Sequence, residues 1–326
     1  MSIGILHCTS SFCRCKYDRN GDIIAFIVNC NKAIMDVKAY RNLSQSLRER
    51  IDFIDFRLMF LGRVYRPDLV GRFGIAPAVA TRDLASYREI APSNIVFNGR
   101  LKQYEPSDKF KPIADHDVGR VLSALSRGYD EVSGGTTGYL PCEFPMRLNQ
   151  PELSVLSVIG RAIHQKRTVK LTYNSLSSGP SSRVIVPFAL VDSGLRWHAR
   201  CYDRKSKEFR DLVLTRMSKP ILQDDTAAQH ETAENDHQWT RFVSLELVVH
   251  PAQARPEIVS KDFGMKNGNL SINVRAAVCG YVLQQWGVDC SSDHSLNPSA
   301  HRLWLKDAPK VLHGVSNAVL AAGYAA

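Results

Sequence analysis

A short Asn98-Gly99 sequence separates two runs that are typical of β-strands, residues 95–97 and 100–104. Asn-Gly is the strongest short signal for a β-hairpin, because both of its residues tolerate the positive φ angles that a two-residue turn requires. The hairpin directly follows a region in which apolar residues recur at helical spacing. It is therefore predicted to be the wing of a winged helix, provided that the preceding helices form a helix-turn-helix.

Three helical segments precede the hairpin. The first spans residues 43–61, where apolar residues recur every three or four positions, and Gly62 ends it. A short second helix starts at Arg66, next to a proline that is tolerated in a first helical turn, and a third covers residues 77–90. Two short helices joined by a glycine-containing turn are the helix-turn-helix signature. Residues 35–112 are therefore predicted to form a winged helix-turn-helix domain.

Charge makes nucleic acid the first partner to consider for this domain. The chain has a formal net charge of +10, and residues 62–112 contain nine basic and five acidic side chains. In a winged helix-turn-helix the third helix enters the major groove, while the wing contacts phosphates or the minor groove. The candidate contacts are Ala78, Thr81, Arg82, Arg88, Arg100 and Lys102. The alternative is a protein-binding domain whose arginines are only solvated.

Asp83 lies among these candidates but carries the opposite charge. It is expected to be a helix-terminal charge or the partner of a nearby arginine, and not a residue that reads bases.

A second module follows a linker over residues 113–150, which contains a predicted helix at 118–125 and a glycine-rich loop at 133–138. A helix is predicted over 151–165, with an apolar stripe formed by Leu153, Leu156, Ile159 and Ile163. After it the hydrophobic period changes to two. Four short predicted strands cover residues 169–173, 183–190, 196–202 and 208–214. Such a series of short strands predicts a small barrel over residues 151–224.

The residues of these strands resemble the WYL domain. The resemblance rests on a Tyr-x-Ser strand, an Arg-x-Ile-x-Pro strand, an Arg-Trp-His strand that ends in Tyr, and Phe-Arg-x-Leu-x-Leu-x-Arg. By position in that pattern, the namesake residues are Trp197, Tyr202 and Leu212. From about residue 40 to residue 326, the chain resembles the BrxR/CapW family of WYL transcriptional regulators. The matching N-terminal features are Gly-x-Val-x-Arg-x-Asp-Leu at 62–69, Phe-Gly-Ile at 73–75, Ala-x-x-Asp-Leu at 80–84 and Pro-x-Asn at 92–94.

The resemblance implies a homodimeric repressor of a phage-defence operon that binds double-stranded DNA at an inverted repeat. It adds Arg66 to the candidate DNA contacts, and it implies an SH3-like or Sm-like barrel for the WYL domain. It also implies that a nucleotide or single-stranded nucleic acid is the effector of that domain. One departure from the family pattern is that Ala76, Ala78 and Val79 stand where polar residues are usual. These side chains cannot hydrogen-bond to bases, so sequence preference would depend on thymine methyl contacts or DNA shape.

Cationic side chains dominate the predicted barrel, where residues 151–224 contain thirteen basic and six acidic groups. Strand alternation predicts that Arg196, His198 and Arg200 share one face, with Cys201 on the core face. Arginine forks and hydroxyl groups suit a phosphate ligand. The candidate ligand-binding residues are Tyr173, Ser175, Ser182, Arg183, His198, Arg200, Arg210 and Arg216. The alternative is a solvated face with internal pairs, such as Arg210 with Glu208 or Asp211.

The C-terminal third, residues 225–326, is predicted to be a ferredoxin-like α+β unit with a β-α-β-β-α-β order. The predicted strands cover 242–249, 270–274 and 303–305, the predicted helices cover 251–258 and 275–286, and residues 224–237 are predicted to be a loop. The family resemblance implies that this domain forms the dimer. The fold class as a whole is therefore multidomain α+β.

Residues 1–34 are predicted to be an extension without a fold of its own, and Met35 is a candidate for the true start. Cys13 and Cys15 could form half of a zinc site, but no second pair has suitable spacing, so no metal or cofactor is expected. Neither a signal peptide nor an apolar run long enough to span a membrane is present, which predicts a cytoplasmic protein.

Phosphate-loop, zinc-protease and nucleophile-elbow motifs are all missing from the sequence, which argues against an enzyme. The alternative to a repressor is an accessory protein that binds single-stranded nucleic acid through the WYL face, without recognising an operator.

Overall fold

The structure is a computed structural model that describes residues 16–17, 23–24, 37–128, 138–144 and 149–325. The chain folds as two compact units, residues 1–143 and 144–326. Cys13 and Cys15 of the candidate half-site, as well as most of the predicted glycine-rich loop, lie outside the described residues. No helix in the described part of the chain combines the length and apolar composition that crossing a bilayer requires.

In the predicted N-terminal extension, the described residues form two short strands, β1 (Lys16–Tyr17) and β2 (Ile23–Ile24), which pair antiparallel. The remainder of residues 1–34 lies outside the described residues.

The helices described in the first unit are α1 (Val37–Arg41), α2 (Gln45–Leu61), α3 (Arg66–Phe73), α4 (Pro77–Ile90) and α5 (Val118–Arg127). Helices α2, α3 and α4 correspond to the three predicted for the helix-turn-helix, and α5 corresponds to the helix predicted in the linker at 118–125. Gly62 and Gly74 follow α2 and α3 with φ angles of 70° and 61°. Glycine adopts this left-handed conformation without steric cost, which is why both helices end where the sequence predicts.

Ile51, Ile54 and Leu58 form the apolar stripe of α2 and are fully buried. They belong to one core with Leu84 and Tyr87 of α4, together with other apolar residues of α3 and α4. Burial of this stripe provides the main stabilisation of the three-helix arrangement, since each such side chain contributes about 1.5–3 kcal/mol when removed from water.

Asp55 is a fully buried carboxylate on α2 that the hydrophobic pattern could not predict. It accepts a hydrogen bond from the Tyr87 hydroxyl at 2.5 Å, and its second oxygen accepts from the backbone N–H groups of Ile113 and Ala114. His116 Nε2 lies 2.9 Å from the same oxygen. Part of the predicted linker is therefore bonded to the helices and lies within the first unit.

The hairpin forms as predicted, but its turn differs from the prediction. Strands β3 (Ile95–Asn98) and β4 (Gln103–Pro106) pair with Asn98 opposite Gln103, so four residues connect them. Positive φ occurs at Lys102, at 52°, and not at Asn98 or Gly99. The expectation of a two-residue Asn-Gly turn is therefore wrong. The Asn98 side chain instead accepts a hydrogen bond from the Leu101 N–H group at 3.2 Å and stabilises the longer loop.

The second unit begins with α6 (Leu153–Gln165) and a five-stranded antiparallel sheet. The strands are β5 (Arg167–Ser175), β6 (Gly179–Asp192), β7 (Trp197–Asp203), β8 (Glu208–Val213) and β9 (Met217–Thr226), in the order β8-β7-β6-β5-β9. Strand β9 was not predicted, because Met217 is its one buried side chain and apolar residues do not alternate regularly along it. The SH3-like or Sm-like description of the sheet stays a prediction.

Helix α6 covers one face of the sheet with a stripe shifted from the predicted one. Val155, Ile159 and Ala162 are buried, whereas Leu153, which was predicted to belong to the stripe, is 81% exposed. Leu153 is the first residue of the helix and lies beyond the edge of the hydrophobic core that α6 covers.

The C-terminal part consists of three strands and short helices. These are α7 (His237–Thr240), β10 (Phe242–Val249), α8 (Pro256–Asp262), β11 (Asn269–Arg275), α9 (Ala276–Gln285), β12 (Leu303–Leu305) and α10 (Ala308–Val311). The sheet is antiparallel with the order β11-β10-β12. Three strands in a β-α-β-α-β order do not make the β-α-β-β-α-β unit of the prediction, so the ferredoxin-like assignment is wrong for residues 242–325.

Candidate nucleic-acid interface and anion-binding cavity

Helix α4 has an apolar face and a polar face. Ala80, Leu84 and Tyr87 recur at helical spacing and are buried, so the intervening positions face outward. The four helix candidates are all exposed: Ala78, Thr81, Arg82 and Arg88. The Thr81 hydroxyl donates to the Pro77 carbonyl at 3.0 Å, which leaves its oxygen able to accept from a ligand.

Asp83 is turned away from this face. It is 3% exposed, and Arg50 of α2 donates to both of its oxygens, from Nε at 2.7 Å and from Nη2 at 3.2 Å. The prediction that Asp83 pairs with a nearby arginine is confirmed. The pair anchors α4 to α2 and keeps a negative charge off the exposed face.

Arg66, Arg82 and Arg88 are exposed on the first unit. The ion pairs described within residues 37–128 use Arg50, Arg57 and His116 instead. The positive charge of the three exposed arginines is therefore not compensated by those pairs.

The wing adds two cations at its tip. Arg100 and Lys102 are exposed in the four-residue loop between β3 and β4. At the base of the loop, Asn98 Nδ2 and Gln103 Nε2 both donate to Glu105 Oε1, at 2.9 and 2.8 Å. These hydrogen bonds hold the pKa of Glu105 below its usual value. A polar network thus holds the base of the wing, and the two exposed cations lie at its tip.

In the second unit, six of the eight predicted ligand-binding residues line one cavity of about 540 Å³. They are Tyr173, Ser175, Arg183, Arg200, Arg210 and Arg216. Ser316 and Asn317 of the C-terminal part complete the wall. A volume of this size is typical of a small-molecule site.

The other two candidates lie elsewhere. Ser182 is exposed on β6 and is not part of the cavity wall. His198 is 5% exposed and stacks on Tyr281 of α9, with ring centroids 5.0 Å apart. Burial lowers the pKa of His198, which keeps the ring neutral at physiological pH.

Arg200 is buried under the C-terminal part, and the predicted open cationic face of β7 is therefore wrong. The side chain donates to Asp236 from Nε at 2.7 Å and from Nη2 at 3.0 Å, and to Asp211 from Nη1 at 3.2 Å. Tyr281 donates its hydroxyl to the other oxygen of Asp211 at 3.1 Å. Arg196, which was predicted to share the face, precedes the first residue of β7.

The remaining cavity arginines differ in how they are paired. Arg183 donates to the buried carboxylate of Asp203 and lies over the Tyr173 ring, 5.1 Å from its centroid. Arg210 donates to Glu208 at 2.5 Å in a pair that is about half exposed, as the alternative interpretation predicted. For Arg216, no carboxylate partner occurs among the side chains described from 149 to 325.

Cys201, on the same strand as Arg200, is fully buried. Burial raises the pKa of its thiol, so an unreactive structural cysteine is expected, as its predicted position on the core face implied. Within the described ranges, no group of three or more His, Cys, Asp or Glu side chains has the arrangement of a metal site.

Sequence reasoning missed the acidic partners of two arginines of the second unit, Arg200 in the cavity wall and Arg204 outside it. Asp236 and Glu231 lie in residues 224–237, the predicted loop, which instead contains the end of β9, two 3-10 helices and the start of α7. Glu231 accepts two hydrogen bonds from Arg204, at 2.6 and 2.7 Å, in the same way that Asp236 accepts from Arg200. The available signal was the run of acidic residues directly after a strongly basic segment.

Comparison with known families assigns all three modules. The BrxR transcriptional regulator winged helix-turn-helix domain matches residues 46–127, and the WYL domain matches residues 154–221. The BrxR transcriptional regulator, C-terminal dimerization domain, matches residues 242–311. The order of modules agrees with the predicted one.

Several curated proteins are similar over most of their length. The DNA-binding transcriptional repressor CapW of Pseudomonas aeruginosa is 30% identical over 276 residues, covering 80% of this chain and 89% of the relative. CapW of Escherichia coli is 28% identical over 273 residues with the same coverage. CapW of Stenotrophomonas maltophilia is 30% identical over 251 residues, covering 74% and 83%.

Among solved structures, proteasome accessory factor B/C of Arthrobacter aurescens aligns over 89% of this chain and 49% of its own length. The TM-score is 0.23 and the sequence identity is 13%.

Proposed function

Because the chain belongs to the BrxR/CapW family of WYL-domain transcriptional regulators, we propose that it is a DNA-binding repressor that acts as a homodimer. The observation that carries the proposal is the exposed cationic surface of the winged helix. Arg66, Arg82 and Arg88 are exposed, while Asp83, which is adjacent to Arg82 on α4, is buried against Arg50. Such an arrangement favours a polyanion over a protein partner.

The proposed interface divides the contacts by chemistry. Arg82 and Thr81 on α4 would approach base edges in the major groove, and Ala78 would contact thymine methyl groups. Arg66, Arg88, Arg100 and Lys102 would bind phosphates, which supply affinity but little sequence information. Two winged helices in a dimer would bind the two halves of an inverted repeat.

The cavity of the second unit is proposed to bind an anionic effector that relieves repression. Four arginines and several hydroxyl groups line it, which is the chemistry that recognises phosphate. The effector must bind the DNA-free and DNA-bound arrangements with different affinity, since a ligand without that difference cannot shift the equilibrium. The proposal assigns no catalytic step to the chain.

The family resemblance extends the proposal to a phage-defence operon as the target of repression. A reporter fused to the promoter of the operon that contains this gene should be more active when the gene is deleted. Unchanged or lower reporter activity would contradict repression, and lower activity would indicate an activator.

Selection of duplexes from a random pool by the purified full-length protein tests the DNA-binding part, at a stated salt concentration because phosphate contacts make affinity salt-dependent. The expected product is an inverted repeat that recurs upstream of the gene itself. Enrichment of no duplex, together with tight binding of single strands, would instead support an accessory protein that acts through the WYL domain.

A further inference from the structure

The four arginines of the cavity are not equally available to a ligand. Arg200 is held by Asp236 and Asp211, and Arg183 by Asp203, and both Asp236 and Asp203 are almost completely buried. Removing either arginine from its carboxylate would leave an unpaired buried charge, which is strongly unfavourable. The positive charges of Arg183 and Arg200 are therefore already neutralised by their own carboxylate partners.

Two arginines remain for an incoming anion. Arg216 has no carboxylate partner in the described second unit, and the carboxylate partner of Arg210 is Glu208, in a half-exposed contact. Arg210 Nε also donates to the Ser206 hydroxyl at 3.0 Å. Exposed pairs of this kind contribute little to stability, so Arg210 can exchange Glu208 for a stronger acceptor at little cost. Hydroxyl groups of Ser175, Ser177 and Ser316 lie on the same wall.

Negative charge limits what these two arginines can bind. Glu208 and Asp211 also line the cavity, so each additional phosphate would be placed close to a carboxylate. A phosphate monoester has a charge of about −1.5 to −2 near neutral pH, which two arginines balance. A triphosphate carries more negative charge than two arginines can neutralise.

We infer that the cavity binds a ligand that presents a single phosphate group, with Arg216 as its anchor and Arg210 as its second contact, and that it discriminates against polyphosphates. The organic part of the ligand would lie against Phe209 and Leu176, two of the apolar residues of the wall. The inference rests on the proposed role of this cavity as the effector site. A nucleoside monophosphate and the phosphorylated end of a nucleic-acid strand both supply this chemistry.

Calorimetric titration of the full-length protein tests the inference. The probes are the four deoxynucleoside 5′-monophosphates, the corresponding triphosphates and the unphosphorylated nucleosides, with EDTA present and ionic strength held constant. We expect at least one monophosphate to bind about tenfold more tightly than its triphosphate, and the nucleoside to bind more weakly than both. A 5′-phosphorylated trinucleotide, compared with its unphosphorylated form, shows whether a strand end is also accepted.

Two variants assign the effect to named residues. Arg216→Gln should weaken monophosphate binding about tenfold. Arg161→Gln, which removes an exposed arginine on α6 outside the cavity, should leave binding unchanged. Glu208→Gln should improve triphosphate binding more than monophosphate binding, because it removes a like charge from the wall. This third variant tests the argument even if Arg216→Gln proves unstable.

Tighter binding of triphosphates than of monophosphates would overturn the inference while leaving an effector site in place. Equal binding by Arg216→Gln and the wild type would also overturn it. If no phosphorylated probe binds, both the inference and the proposed effector role of the cavity are contradicted, whereas the DNA-binding proposal is unaffected.

Discussion

Arg200 and Asp236 form a buried bidentate ion pair that joins the WYL sheet to the C-terminal domain, with nitrogen–oxygen distances of 2.7 and 3.0 Å. Both residues are almost completely buried, with exposures of 3% and 1%. The pair therefore belongs to the framework of the second unit. Its loss should affect stability before it affects ligand binding.

Substitution of Arg200 by Met should lower the free energy of unfolding by about 3–5 kcal/mol, because Asp236 is left as a buried charge without a partner. Arg216→Gln, which removes a partly exposed arginine from the same cavity, should change it by about 0.5 kcal/mol or less. Urea unfolding of the two variants measures the difference. The double variant Arg200→Met with Asp236→Leu should recover part of the loss. A loss of similar size in Arg200→Met and Arg216→Gln would contradict the framework role.

The hydrogen bonds from Arg204 hold the pKa of Glu231 below its usual value. A lowered pKa in the folded state means that the contact stabilises the protein fully above the unfolded-state pKa of about 4.3 and is lost as the pH falls through the folded-state value. The wild type should therefore be more stable than Glu231→Gln near neutral pH, and the difference should shrink as the pH is lowered below about 4. Urea unfolding at a series of pH values measures this difference.

Glu208→Gln is the control for the pH series, since Glu208 belongs to an exposed ion pair. Its free energy of unfolding should differ only slightly from that of the wild type at any pH. The difference in unfolding free energy between the wild type and Glu231→Gln should fall with the pH. If it stays constant or grows instead, the proposed contribution of the Arg204 contact is contradicted.

Arg82 and Lys102 should behave differently in DNA binding. Arg82→Ala should weaken operator binding by about 1–3 kcal/mol and reduce the preference over random DNA. Lys102→Ala should weaken operator and random DNA alike and reduce the salt slope by about one. Titrations of both duplexes at several salt concentrations separate the two effects. Arg161→Ala, in the second unit, should change neither affinity, and a uniform loss in Arg82→Ala would remove that residue from the base contacts.

Asp83→Asn should weaken operator binding although Asp83 does not face the proposed DNA surface. The substitution weakens the contact with Arg50 that anchors α4 to α2, with an expected loss of about 1–3 kcal/mol in stability. Because no phosphate contact is removed, the salt slope should remain that of the wild type. A changed salt slope with unchanged stability would instead indicate that Asp83 faces the DNA.

Local patterns predicted the helices of the first unit well, because their signals lie within the elements themselves. Proline in the first turn and apolar residues at helical spacing fixed α4 at Pro77–Ile90, where the structure has it. The turn of the wing was mispredicted because Asn98 uses its side chain to stabilise a longer loop. The positive φ angle moved to Lys102, a residue type that gives no signal for it.

Part of the candidate cavity could be predicted from the sequence, because alternation along a strand is also a local signal. The strand register brings four of the six chosen side chains to one face of the sheet: Tyr173, Ser175, Arg183 and Arg210. Arg200 starts from the other face, and Arg216 lies in the 3-10 helix that follows β8. The burial of Arg200 could not be read from its strand, since its partner Asp236 lies 36 residues further along the chain. In the C-terminal part, the strands predicted at 242–249, 270–274 and 303–305 all form. The β-α-β-β-α-β order was wrong because it requires a fourth strand, for which the sequence has no matching apolar segment.

The acidic stretch over residues 224–237 has a consequence for any study of the WYL domain in isolation. Asp236 and Glu231 are counter-ions for Arg200 and Arg204. A protein that ends at residue 224 would leave Arg204 without its carboxylate partners and Arg200 with Asp211 alone. Affinities of such a fragment for anions should therefore exceed those of the intact chain. The ligand selectivity proposed for the cavity would thus depend on the C-terminal domain.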